Sequence, residues 1–176
     1  MIKSDERGKK MDYQTLFNNI MALNRMRETT MRIGEALKQL EKLPKNAEVE
    51  ISMEWVDKYK EYINTFDDKE YIARRISKYD KKQMYFDKSF GSDRGDYANM
   101  YLGYTYEPTK TTVQDLIDIL NNAKKQGTMY GYKGGEFDID DSTLLTIAEY
   151  GYSEGIRPTN FELIGDKVIM HTKYKE

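Results

Sequence analysis

One nine-residue pattern occurs twice in this chain, eighty residues apart. Arg32-Ile33-Gly34-Glu35-Ala36-Leu37-Lys38-Gln39-Leu40 lies over Thr112-Val113-Gln114-Asp115-Leu116-Ile117-Asp118-Ile119-Leu120. Ile33 matches Val113, Glu35 matches Asp115, Leu37 matches Ile117 and Leu40 matches Leu120. Apolar residues at these offsets line one face of a helix. A turn and a β-prone stretch follow each copy, Pro44 to Ile51 in the first and Gly127 to Tyr132 in the second. The chain is therefore expected to hold two related helix–turn–strand units rather than one scaffold wrapped around a cleft.

The rest of the pattern divides the chain into residues 1–30, an N-terminal arm and helix; 31–106, the first unit with an insert; and 107–176, the second unit. Tyr13, Leu16, Phe17, Ile20, Met21 and Asn24 recur at helical spacing, and Thr29-Thr30 favours an exit from that helix. Pro44 closes the first repeat helix, after which Val49, Ile51 and Met53 alternate with polar residues as in a half-buried strand. Trp55, Tyr59, Tyr62, Ile63 and Phe66 read as one insert helix, and Ile72, Ile76, Tyr79, Gln83 and Phe86 as a second. Tyr97 to Tyr106 reads as a strand. In the second unit Thr112 and Asp115 form a capping-box pair, which Arg32 cannot share. Lys124-Lys125-Gln126-Gly127 is a helix stop. Met129–Lys133, Thr143–Tyr150, Phe161–Ile164 and Val168–Lys173 are the expected later strands, with Gly165-Asp166 in a tight hairpin turn. The fold class expected is α+β: two helix–turn–strand units bracket a helical insert, and the C-terminal part forms a small antiparallel sheet.

Composition narrows the chemistry. There is no cysteine, so disulfides, thiolate nucleophiles, thiolate zinc sites and iron–sulfur clusters are excluded. No apolar run approaches the ~20 residues of a membrane-spanning helix. The charged N-terminus lacks the apolar core of a signal peptide. A cytoplasmic protein is the expectation. The net charge of −2 excludes a globally basic nucleic-acid binder.

His171 is the only histidine, too little for a metal centre or a triad, and a surface or strand-edge position is expected. The densest carboxylates are Glu136, Asp138, Asp140 and Asp141. With Phe137 and Ile139 inward, Glu136, Asp138 and Asp140 share the outer face. Their spacing departs from a calcium-binding loop, so a solvated acidic edge is favoured over a metal site. No catalytic set and no cofactor are implied, although a carboxylate metal-dependent hydrolase stays open as a lesser alternative. Tyr130-Gly131-Tyr132-Lys133-Gly134-Gly135 is not a phosphate loop, but Tyr130 and Tyr132 could stack on a nucleotide beside Lys133, which makes a second-messenger binder the principal alternative. Arg74, Arg75, Lys78, Lys81 and Lys82, among tyrosines, form the one basic stretch that could touch nucleic acid. Residues 107–170 carry eleven acids against six bases, so this half suits a cationic protein partner met through Tyr130, Tyr132, Glu136, Asp138, Asp140 and Asp141.

Two segments, Leu40-Glu41-Lys42-Leu43-Pro44-Lys45-Asn46-Ala47-Glu48-Val49 and Tyr130 to Phe137 continuing through Glu149-Tyr150-Gly151, resemble small proteins of phages and mobile elements of Gram-positive bacteria. Such genomic neighbourhoods are rich in inhibitors of host defence. The resemblance implies an anti-CRISPR-like, non-enzymatic inhibitor in the host cytoplasm. Its partner would be a CRISPR nuclease, whose nucleic-acid loading or domain movement it blocks. No membrane is implied, and no oligomeric state is specified.

Overall fold

The computed structural model describes residues 12–18, 20–21, 30–80, 83–93, 99–131, 135–149 and 155–174. It divides into two units, residues 1–29 with residue 176, and residues 30–175. In the first unit a helix, α1, runs over residues 13–18 and includes 20–21. Asp12 Oδ1 accepts the Gln14 N–H at 3.2 Å at its start, and Gln14 Nε2 donates to Asn18 Oδ1 at 3.0 Å along its polar face.

The second unit runs α2 (Ile33–Leu40), β1 (Glu48–Ile51), α3 (Trp55–Ile63), α4 (Lys69–Ser77), β2 (Tyr85–Ser92), β3 (Asn99–Thr105), α5 (Val113–Gln126), β4 (Thr128–Tyr130), β5 (Glu136–Asp138), β6 (Leu144–Ala148), β7 (Ile156–Ile164) and β8 (Lys167–Tyr174). The α+β class follows. Two three-stranded sheets are ordered β1-β8-β7 and β2-β3-β6, and β4-β5 is a separate hairpin. β7–β8 and β2–β3 are antiparallel, whereas β1 pairs with β8, and β6 with β3, in parallel. β6 also packs beside β7 and β1 beside β2, so the six long strands follow one another around a ring.

Exchanging α2 with α5, β1 with β6, β2 with β7 and β3 with β8 carries this pairing scheme onto itself. The repeat is therefore longer than the sequence pattern: helix, strand, then hairpin, twice. Each unit's single strand pairs with the other unit's hairpin. The helix starts repeat this exchange in backbone hydrogen bonds. Ile33 N–H donates to Thr143 O at 3.0 Å, Gly34 N–H to Asp141 O at 3.0 Å, and Leu145 N–H to Met31 O at 2.8 Å. On the other side Val113 N–H donates to Ala47 O at 3.0 Å, Gln114 N–H to Lys45 O at 3.0 Å, and Val49 N–H to Thr111 O at 2.8 Å. The first N–H groups of a helix have no intrahelical acceptor. Here each helix finds those acceptors in the turn preceding the other unit's strand.

Side chains complete the caps unequally. Thr112 Oγ1 accepts from Asp115 N–H at 3.2 Å and Asp115 Oδ2 from Thr112 N–H at 2.9 Å. In α2 only the second half exists, Glu35 Oε2 accepting from Arg32 N–H at 3.1 Å, because a guanidinium has no acceptor. Arg32 Nη1 instead donates to Ser142 O at 2.5 Å. The two C-termini differ as well. α5 ends on Gly127 at φ 80°, and α2 is closed by Lys45, whose ammonium donates to the carbonyls of Leu40, Glu41 and Leu43.

Ile33, Leu37, Leu40, Val113, Leu116, Ile117 and Leu120 are buried as the helical spacing predicts, in one core with Val49, Ile51, Leu145, Ile147, Val168 and Met170. Three expectations need correction. The second insert helix stops at Ser77, and Gln83 to Phe86 leave it for a loop and β2. Tyr79 and Phe86 are both buried, but from different elements, and their seven-residue separation mimics two helical turns. The C-terminal strands do not share one antiparallel sheet: β7 pairs with β8, turning through Gly165 at φ 65°, and β4 with β5, each antiparallel, while β6 joins β3 in the other sheet. β7 also begins earlier than Phe161, taking Pro158 at a register irregularity where the missing N–H breaks no regular ladder. The ends of the strands expected over Met129–Lys133, Thr143–Tyr150 and Tyr97–Tyr106 fall partly outside the described residues.

Gly34 has a packing reason that its twin Gln114 lacks. A Cβ at position 34 would stand 2.8 Å from Asp141 Cβ and 3.1 Å from Asp141 O. Gly34→Gln, which restores the twin's residue, is expected to destabilise the fold by about 1–3 kcal/mol through overpacking, whereas Gln114→Ala at its exposed site should stay within about 0.5 kcal/mol. Urea unfolding of the two variants beside the parent chain checks this difference.

Candidate functional site

The surface expected to meet a partner is built by the β4–β5 hairpin, which leaves α5 at Gly127. Gly127 O accepts the Ile139 N–H at 3.0 Å and Gly131 N–H donates to Gly135 O at 2.5 Å, so the hairpin is tied at base and tip. Thr128 stands opposite Asp138, Met129 opposite Phe137 and Tyr130 opposite Glu136. Met129 and Ile139 are buried and Phe137 packs partly against the core. Strand alternation then sends Tyr130, Glu136 and Asp138 outward, and Tyr130 is 69% exposed. Tyr132 and Lys133 lie outside the described residues.

The four carboxylates do different work. Glu136 and Asp138 project to solvent from β5. Asp140 builds the next turn: its Oδ1 accepts from Ser142 N–H at 2.8 Å and Ser142 Oγ at 2.5 Å, while its N–H donates to Thr143 Oγ1 at 2.9 Å. The Ser142 hydroxyl and N–H hold its carboxyl below the usual carboxylate range. Asp141 pairs with Lys124 at 2.7 Å and supplies the carbonyl that receives α2. Asp140 and Asp141 thus belong to the docking turn of the fold, and the exposed acidic face narrows to Glu136 and Asp138. Among the described residues no three carboxylate or imidazole side chains are grouped to hold a metal ion.

The expected cationic face is divided. Arg74 is exposed, with its guanidinium 5.8 Å from the Tyr71 ring centroid. Arg75 turns inward, and its Nε donates to Tyr59 Oη at 3.0 Å. Lys78 pairs with Glu149 at 2.7 Å and lies over the Tyr79 ring. These two cations are committed to packing the insert, because α4 packs beside α3 with Ile72 and Ile76 against the core. Lys81 and Lys82 lie outside the described residues.

An aromatic cluster, which spacing alone did not single out, holds the insert. Trp55 and Tyr79 meet edge to face at 4.8 Å, Tyr59 and Tyr79 at 5.1 Å, and Tyr104 and Tyr106 at 5.7 Å. Burial pushes the Tyr104 hydroxyl far up, with Tyr79, Tyr106 and Glu149 adding to the effect, so it stays protonated. Trp55/Tyr59 and Tyr104/Tyr106 were visible as helix and strand spacings. Their convergence was not, since it brings together α3, the residues after α4, and β3 with the residue that follows it.

His171 is not at a strand edge. It stands in β8, the central strand, on the face opposite buried Met170. Its Nδ1 lies 2.7 Å from Glu54 Oε1 and its Nε2 2.6 Å from Glu162 Oε2. Carboxylates on opposite ring nitrogens cannot converge on one cation; they favour the imidazolium, which has two N–H donors. The hydrogen bond to Glu54, then that to Glu162, raises its pKa above the ordinary value, and partial burial opposes them.

No protein-family model, curated protein or solved structure matches the chain.

A raised histidine pKa stabilises the fold fully below the unfolded value of about 6.5, and that contribution is lost as pH rises through the folded value. Thermal melts from pH 5 to 9 should show this loss in the parent chain and a flatter profile in His171→Gln. Equal slopes in the two would show that the clamp contributes nothing.

Proposed function

We propose that this chain is a non-catalytic inhibitor of a bacterial defence nuclease, acting by laying the β4–β5 hairpin on the nuclease's cationic nucleic-acid channel. The observation that carries the reading is the exposed Tyr130–Glu136 cross-strand pair, with Asp138 beside it, on a hairpin tied to the core by Met129 and Phe137. Tyrosine combines a large apolar contact with a polar tip, and such residues are enriched where interfaces concentrate their energy. Adjacent carboxylates offer the charge that a nucleic-acid channel is built to receive. The resemblance to phage and mobile-element proteins supplies the class of target, a CRISPR nuclease.

The narrowing of the acidic face sharpens the test. Asp140 and Asp141 support the fold, so charge reversal there confounds binding with stability. Glu136→Lys combined with Asp138→Lys should leave the melting temperature nearly unchanged. In a DNA-cleavage assay with a purified CRISPR nuclease from a Gram-positive host, the double variant should need over tenfold more protein for half inhibition, a loss of about 1.4 kcal/mol. Unchanged inhibition would place the contact elsewhere, and no inhibition by the parent chain would reject that nuclease as the target.

A further inference from the structure

We infer that His171 and Glu54 form a proton-operated latch on the helical insert, closed while the imidazole is charged and open when it is neutral. The two carboxylates on His171 differ in their freedom to move. Glu162 lies inside β7, opposite Ile169 in the β7–β8 ladder. Glu54 lies outside any strand, immediately before α3. Ser52 is tied to β8: its N–H donates to Met170 O at 3.0 Å, and its hydroxyl accepts the Thr172 N–H at 2.9 Å. Beyond Ser52, the bond from His171 Nδ1 to Glu54 Oε1 is the one hydrogen bond that the described residues show between the start of α3 and β8.

A neutral imidazole keeps one N–H and turns a lone pair toward its other neighbour, so it cannot donate to both carboxylates. The partner fixed by strand pairing stays, and the one on the loose segment leaves. While it is held, the Glu54 side chain makes no cap for α3. Once released, it lies beside the amide end of that helix, where negative charge is favourable. The carboxylate thus has two resting places, and a proton on one histidine selects between them. Trp55 follows Glu54 directly and is the only tryptophan of the chain. It is buried edge to face against Tyr59 at 5.8 Å and Tyr79 at 4.8 Å. Its indole N–H is buried with no hydrogen-bond partner among the described residues, so packing alone holds it. Opening the latch lets that N–H reach water, which removes the penalty of leaving it unpaired.

The other charges around the clamp do not titrate near neutral pH. Alternation puts Lys167 and Lys173 of β8 on the face of His171, and Glu50 of β1 pairs with Lys167 at 2.5 Å. Arg157 of β7 stands opposite Lys173 and donates to Thr30 Oγ1 at 3.3 Å. Asp57 and Lys58 in the first turn of α3 are exposed neighbours of opposite sign. The bonds to Glu54 and Glu162 raise the imidazole pKa, so the latch is closed below the ordinary value of about 6.5 and opens as pH rises through the higher folded value. This device is independent of the β4–β5 hairpin.

Fluorescence of the full chain, excited where tyrosine does not absorb, reads Trp55 from about pH 5 to about pH 9. The expected result is a red shift and easier quenching by acrylamide as pH rises, with the midpoint of the His171 titration followed by NMR. Far-ultraviolet circular dichroism should stay constant through the step, which separates opening from unfolding. His171→Gln and Glu54→Ala should each abolish the step, and the same dichroism signal confirms that both variants are folded. A Trp55 signal indifferent to pH in the parent chain overturns the latch. A step that survives in either variant, or one that coincides with loss of the dichroism signal, overturns it equally.

Discussion

Everything in the larger unit hangs on the exchange of backbone hydrogen bonds at the two helix starts. An unpaired N–H removed from water carries a penalty of several hydrogen-bond equivalents relative to one that is paired. α2 cannot meet that demand from its own segment, nor can α5. The carbonyls of Asp141 and Thr143 serve the first, those of Lys45 and Ala47 the second. Because the acceptors sit just before β6 and β1, the same bonds that cap the helices set where those strands begin. Register, helix position and the parallel pairings are consequently one decision rather than three.

This arrangement explains where the chain tolerates additions. α3 and α4 enter between β1 and β2, and β4 and β5 between α5 and β6, so the inserts fall at different points of the two units. Neither interrupts the exchanged bonds. Each is secured by its own apolar contacts, the aromatic cluster around Tyr79 in one case and Met129 with Phe137 in the other. A scaffold fixed at its helix starts leaves these additions available for recognition, and Tyr130, the most exposed of the described aromatics, stands on one of them beside Glu136.

The helix–strand halves of the repeat were legible because buried helical stripes and half-buried strands leave a period in the sequence. The hairpin halves were not. β2 contains a bulge in which Lys88 takes φ 60° and reaches Asp115 at 3.2 Å, and β7 is broken at Pro158, so the two hairpins share no pattern. Helix spacing carried past Ser77 because Phe86 returns to the core at a helical interval from Tyr79. Among the candidate site residues, exposure of Tyr130, Glu136 and Asp138 followed from alternation alone. The structural work of Asp140 and Asp141, the inward turn of Arg75 and the two carboxylates on His171 depend on neighbours nine to 117 positions away or on turn geometry. Local pattern holds no record of such partners.

The pairing of β1 with β8 has a consequence for how the chain matures on the ribosome. β1 is complete after residue 51, yet the strand that satisfies its hydrogen bonds ends at Tyr174. Its neighbours in sequence cannot substitute, since β2 and β3 pair with each other and then with β6. β1 therefore emerges with an open strand edge and waits for β8, more than a hundred residues later, for closure. Non-local pairings of this kind fold slowly and expose sticky intermediates. The alternation of Glu48 and Glu50 with Val49 and Ile51 puts negative charge along that waiting edge, which keeps nascent chains from finding one another first.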